Sequence, residues 1–133
     1  MNCNLQFLGL IKKAGLLAVG GDAAAVAART GKARLVVLAS DASESARRRA
    51  AYMSKISRAP CITVPFTKFE LGNVTGRGSP GTVAVLDAGL SARFAKGLAT
   101  TNPDLYGEAA QSLDERSRAA ASKNNPNLRR TAK

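Results

Sequence analysis

Histidine and tryptophan are both missing from this 133-residue chain, and aromatic residues make up only 5% of it. Without histidine, no side chain titrates near neutral pH unless its surroundings shift it, so acid–base catalysis would fall to carboxylates. Those are scarce too. The first 98 residues hold only Asp22, Asp41, Glu44, Glu70 and Asp87, and two of these have helix-capping explanations. Cysteine is limited to Cys3 and Cys61, too few for a disulfide framework and without Cys-X-X-Cys or metal-ligand spacing. Reduced thiols are the expectation for both. No run reaches the roughly 18–20 apolar residues that span a bilayer, and Met1-Asn2-Cys3-Asn4 lacks the charged start of a secretory signal. These absences point to a soluble, cytoplasmic protein with no catalytic residues, metal or cofactor.

What is present is apolar bulk and positive charge. Hydrophobic residues amount to 45%, enough for a core of Ala, Val, Leu and Ile, and the net charge is +11 with a pI near 10.5. Residues 1–98 carry 14 basic and 5 acidic side chains (net +9), and residues 99–133 carry 6 and 4 (net +2). The charge excess therefore belongs to the globular part. Nucleic acid is the first partner it suggests, with an anionic membrane surface second.

Helix and strand signals alternate along the chain. Residues 4–14 place Leu5, Leu8 and Ile11 on one stripe, end in Lys12-Lys13 and stop at Gly15. Leu17-Ala18-Val19 reads as a brief strand, and the alanine-rich run over 22–30, stopped by Gly31, as a thin helix suited to close packing on a sheet. Arg34–Ala39 is a continuous apolar run, the pattern of a strand buried on both faces. Asp41 with Glu44 has the form of a capping box for a helix to about Ser57, with Ala46, Ala50, Met53 and Ile56 inward. Cys61–Val64 reads as a strand. Thr67 with Glu70 is a second capping box, for a short helix ending near Gly72, followed by a turn-rich loop from Asn73 to Gly81. Thr82–Leu86 is the last strand, and residues 90–98 form a helix with Leu90, Phe94 and Leu98 on one side.

The architecture expected from this order is a three-layer α/β/α sandwich with a small mixed sheet over residues 1–98. Thr100–Asp104 reads as a linker into an extended or partly helical C-terminal extension, 99–133, flexible or ordered on binding. Residues 104–122 have helical character, while Asn124–Asn127 and Leu128-Arg129-Arg130 read as disordered until bound.

Two stretches stand out as candidate contacts. Gly20-Gly21-Asp22 lies between a strand and a helix, where paired glycines admit close approach and Asp22 or Gly21 can serve as the N-cap. Helix-start N–H groups suit a polyanion, although a strand-to-helix turn with a good cap needs no ligand at all. Arg77 lies between two glycines, where neither helix nor strand accounts for it, and with Gly78, Ser79 and Pro80 it suggests phosphate contact. Lys12, Lys13, Lys32 and Arg34 are further phosphate candidates, whereas Arg47-Arg48-Arg49 reads first as a solvated helix face.

Leu8–Leu17, the glycine turn at 20–21, Gly31–Asp41 and Glu70-Leu71-Gly72 together resemble the kink-turn-binding ribosomal protein family, the L-seven-Ae family, and most of all its small bacterial members. The likeness runs over about residues 5–98. It implies an α/β/α sandwich that binds kink-turn RNA, an internal loop with tandem sheared G·A pairs. In the family, a glycine, a small residue, Asn and Glu, with Lys three positions later, read those pairs from a helix start. Here the positions are Gly20, Gly21, Asp22, Ala23 and Val26. The family's loop before the last strand covers a flipped-out nucleotide and matches Gly76–Gly81. Departures are evident: Asp22 cannot donate as Asn does, Ala23 lacks the carboxylate, Val26 lacks the cation, and Leu16, Ala18 and Val19 stand where relatives carry Lys. A good bidentate base contact is worth roughly 1–3 kcal/mol of discrimination, so their loss thins the readout.

The resulting expectation is a monomeric, non-catalytic RNA-binding protein, part of a ribosome or other ribonucleoprotein, with its extension contacting neighbouring proteins. The alternative is a protein-interaction module that keeps the fold without RNA readout. An accessory domain of an RNA-modifying enzyme is disfavoured because only a short extension follows the domain.

Overall fold

The computed structural model describes residues 3–124, in which ten elements follow in order. They are α1 (Cys3–Lys13), β1 (Leu17–Val19), α2 (Gly21–Arg29), β2 (Leu35–Leu38), α3 (Glu44–Ser57), β3 (Cys61–Thr63), α4 (Lys68–Thr75), β4 (Thr82–Val85), α5 (Ala88–Thr101) and α6 (Pro103–Asn124). The strands form one mixed sheet in the order β1-β4-β2-β3, with β2 parallel to β3 and β4 antiparallel to both its neighbours. Every residue of β2 and β4 is buried, which is why β2 reads as an unbroken apolar run. Helices α2 and α3 pack on each other and on the central strands. Helices α1, α4 and α5 form the other layer, and α6 lies along α5. The result is the α/β/α sandwich.

Small residues let the layers approach. Ala24, Ala25, Ala27 and Ala28 bury the inner face of α2. Larger side chains fill the other layer: Phe66, Phe94, Leu8, Ile11, Leu71 and Leu98 are almost wholly enclosed. Each contributes about 1.5–3 kcal/mol relative to exposure.

Register gives the sheet two ends with different contents. Val19 pairs with Val83 and Leu38 with Thr82, so the end of β1, the end of β2 and the start of β4 share one end. Leu17 and Leu35 both pair with Val85 at the other.

Four local expectations are corrected. Asp41 does not cap α3; Ser43 does, accepting from the Ala46 N–H at 3.0 Å, while Asp41 accepts from the Lys68 N–H at 2.8 Å. Its carboxylate thus serves the start of α4, a partner that sequence spacing cannot indicate. Ile56 is not inward but 40% exposed, because only Ala50 and Met53 of α3 are buried. Helix α4 does not end near Gly72 but continues to Thr75, capped by Gly76 in the left-handed region at φ 72°. Gly72 is a close-approach glycine: a β-carbon there would collide with the carbonyl oxygen of Gly78. The linker expected at 100–104 reduces to Asn102, since α5 runs to Thr101 and α6 begins at Pro103.

Helix α6 is joined to the core. Tyr106, Ala110 and Leu113 are buried, and the Tyr106 hydroxyl donates to the Thr63 carbonyl at 2.7 Å. That bond covers part of β3, an edge strand whose open carbonyls would otherwise invite pairing. The Leu128–Arg130 segment lies outside the described residues.

Candidate nucleic-acid interface

The turn before α2 has a geometry only glycine adopts readily. Gly20 sits at φ 96°, ψ 159°, and donates its N–H to the Thr82 carbonyl at 2.9 Å, which ties the turn to the start of β4. Gly20 is therefore the N-cap of α2, and no side chain caps it. This corrects the expectation that Asp22 or Gly21 fills that position. Asp22 lies in the first helical turn with its side chain fully exposed, and pairs with Arg49 at 3.3 Å. Ala23 is also exposed, and Val26 is 50% exposed.

Arg49 comes from α3 and sits against the glycine turn. A β-carbon on Gly21 would stand 3.0 Å from Arg49 Nη1 and 3.6 Å from Cζ. A cation beside a helix start opposes the dipole, and the Asp22 carboxylate offsets it. The pair is half-exposed on the Arg side and open on the Asp side, so solvent screens it and it holds the guanidinium loosely.

The loop over 76–81 ends at the same surface, at Gly81. Gly21, Gly81 and Thr82 line one shallow cleft of about 220 Å³ together with Ser43, Ser45 and Arg49. The Ala39 N–H donates to the Gly81 carbonyl at 2.9 Å, and the Lys68 chain passes 3.7 Å from where a Gly81 β-carbon would be. Arg77, Gly78 and Ser79 are exposed, and Pro80 is half-buried. The main chain of Arg77 and Gly78 packs on Gly72, which fixes the loop while leaving the Arg77 side chain in solvent. Arg47 is held back from this surface's rim, donating to the carbonyls of Ala42 and Ser40 at 3.4 Å each.

The other basic candidates are not part of this cluster. Lys12 and Lys13 precede β1, and Lys32 and Arg34 precede β2, where Arg34 donates its N–H to Val85 at 2.8 Å. All four lie at the opposite end of the sheet from Gly20 and Gly81, roughly 10 Å away along the strands. The sequence reading named these four as phosphate partners beside Arg77, and the sheet separates them from the glycine turn. That reading also passed over Arg49, Lys68 and Ser43 as contributors. Only Arg49 had a signal, since three adjacent arginines fan round a helix and one must leave the crest.

No group of three His, Cys, Asp or Glu residues could hold a metal among the described residues. No helix there is long and apolar enough to cross a membrane. Cys3 is exposed, and burial pushes the Cys61 thiol up, away from the reactive thiolate.

Comparison with known proteins sharpens this picture. The model of the ribosomal protein L7Ae/L30e/S12e/Gadd45 family matches residues 5–95. The chain belongs to this family. A solved structure of a Bacillus halodurans protein of unknown function is 26% identical with a TM-score of 0.66, covering 74% of this chain and 98% of its own. The 15.5kD RNA-binding protein of Giardia lamblia shares the fold at 17% identity and a TM-score of 0.57, covering 72% of this chain and 82% of its own. No curated protein matches significantly. The family match ends inside α5, so α6 lies beyond it.

Proposed function

We propose that this family member is a non-catalytic RNA-binding protein, a cytoplasmic ribosomal or other ribonucleoprotein component that holds kink-turn-like RNA. Its contact surface is the α2 start at Gly20–Ala23 with the loop at Arg77–Pro80. One observation carries the reading: the Arg49 guanidinium lies against Gly21, beside the cleft that joins Gly21 to Gly81. The family's Lys position, Val26, is empty of charge, and Arg49 returns a cation to the same helix start from a neighbouring helix. With Ala23 unable to accept from a base edge, recognition rests on backbone shape and on phosphate contacts from Arg49, Lys68 and Arg77. Such contacts give affinity that falls steeply with salt.

A salt titration on a kink-turn RNA beside a plain duplex of equal length tests the proposal. Tighter binding of the kink-turn across the series is expected. Equal affinities with equal slopes would remove the kink-specific part. Absence of binding to both at physiological salt would favour the protein-interaction alternative. That alternative has one feature in its support: Tyr52 and Ile56 are exposed on α3 and line an apolar groove with Ala25 of α2, edged by Arg29, Arg48 and Arg49.

A further inference from the structure

A cavity lies at the sheet end that the proposed kink-turn surface does not reach. It measures about 450 Å³, within the range of small-ligand sites, and three arginines line it from three separate elements. Arg34 leads into β2, Arg58 follows α3, and Arg116 projects from α6. Between them the wall is apolar, formed by Ala88, Ala119 and Ala120 over the buried Ala59 and Leu113. No carboxylate lines the cavity among the described residues.

The three arginines that line it have no acidic neighbour in the lining among the described residues, and the nearby acids are engaged elsewhere. Asp87 accepts from the Leu90 N–H at 2.9 Å, and Asp114 pairs with Arg118 at 3.2 Å and Lys96 at 4.0 Å. None of the ion pairs among the described residues includes Arg34, Arg58 or Arg116. The α3 C-terminus favours one nearby cation through its dipole, which accounts for Arg58 but not for the other two.

One of the arginines stands on a strained backbone and another is anchored by its side chain. Arg58 adopts φ 61°, ψ 12° and is the one non-glycine residue in the left-handed region among those described. Glycine would relieve that strain, so the arginine persists at a position its backbone disfavours. Arg116 donates from Nη1 to the Arg58 carbonyl, which fastens α6 to this turn and aims its guanidinium at the same cavity. Because α6 lies beyond the family match, the cavity is built partly from this chain's own addition.

We propose that this cavity binds a nucleotide unit, its phosphate held by Arg34, Arg58 and Arg116 and its base and sugar against the apolar wall. Planar guanidinium forks match phosphate oxygens, and Ala88, Ala119 and Ala120 offer an accessible apolar surface for a base. The unit is either a free nucleotide or one residue of an RNA strand. In the second case the protein holds RNA at both ends of its sheet. The site stands independently of the kink-turn surface.

The test is an NMR titration of the full-length protein with adenosine monophosphate, a five-nucleotide single-stranded RNA and inorganic phosphate. Amide shifts are expected at Ala33, Arg58, Ala59 and Ala88, with both nucleotide probes binding more tightly than phosphate alone. The Arg58→Gly variant removes the side chain while relieving strain, so it should keep or raise the melting temperature. Its affinity for both nucleotide probes should fall roughly tenfold, the scale of one charge-assisted hydrogen bond, and Arg34→Gln should do the same. Tighter binding of the five-mer identifies an RNA strand as the occupant, and tighter binding of the monophosphate a free nucleotide. Shifts confined to the Gly20–Gly81 surface, an undiminished affinity in Arg58→Gly, or phosphate binding as tightly as the nucleotides would each overturn the proposal.

Discussion

Gly72 and Gly78 are in main-chain contact: a β-carbon at Gly72 would overlap the Gly78 carbonyl oxygen and crowd the Arg77 carbonyl as well. Backbone cannot swing aside as a flexible side chain can. The Gly72→Ala variant must therefore displace the loop that presents Arg77, at about 1–3 kcal/mol, the usual cost of overpacking. Thermal unfolding should report that loss, and limited proteolysis should find the 76–81 loop newly exposed. An unchanged melting temperature with an intact loop would show that α4 and the loop separate at no cost.

The two glycines of the α2 turn should respond differently. Gly20, at φ 96°, ψ 159°, occupies a region that side chains avoid, so Gly20→Ala is expected to destabilise by about 1–3 kcal/mol. Gly21 has an ordinary helical backbone, and its added methyl would meet only the end of the flexible Arg49 side chain. Gly21→Ala should keep its stability and displace Arg49, weakening RNA binding. Equal melting temperatures for the two variants would contradict this division.

Much of the fold was legible because its signals are local. Leu35–Leu38 shows its burial on both faces directly, and the Thr67–Glu70 capping box closes within four residues, with both of its reciprocal bonds formed. What escaped the sequence involves distant partners. Asp41 finds the Lys68 N–H and Arg49 finds Asp22, each 27 residues away. The division of the basic residues into two groups depends on strand order. Lys12 and Lys32 were phosphate candidates beside Arg77, and only the register of β1 and β2 against β4 places them at the far end. Gly72 was read as a stop because a glycine near a helix end has two uses. The contact that distinguishes them lies across the loop.

Arg49 and Asp22 make opposed predictions for RNA affinity. Arg49→Ala removes a cation from the helix start and should weaken binding and make the salt dependence shallower by about one phosphate contact. Asp22→Asn removes a negative charge facing the same phosphate and releases Arg49, so it should strengthen binding with little effect on folding, since exposed pairs contribute little. If both variants weakened binding equally, the pair would act as a fixed unit rather than a displaceable one.

Alkaline pH should destabilise the fold in two steps, through Cys61 and then Tyr106. Burial raises the Cys61 thiol above its ordinary 9.0 and the Tyr106 phenol above its ordinary 10.0. Both groups hold their protons more tightly in the folded chain. Their stabilisation is therefore complete below the unfolded values and is lost as pH rises through the raised folded ones. Chemical denaturation followed from pH 8 to 11 should show stability falling above about pH 9, with the first part of the decline absent in Cys61→Ala. Tyr106→Phe should remove the later part and, at neutral pH, cost about 1 kcal/mol through the lost hydrogen bond to Thr63. That bond fastens α6 over the edge of β3, so the same variant should speed hydrogen exchange in α6 more than in α2. A uniform change across both helices would mean that α6 and the sheet open together.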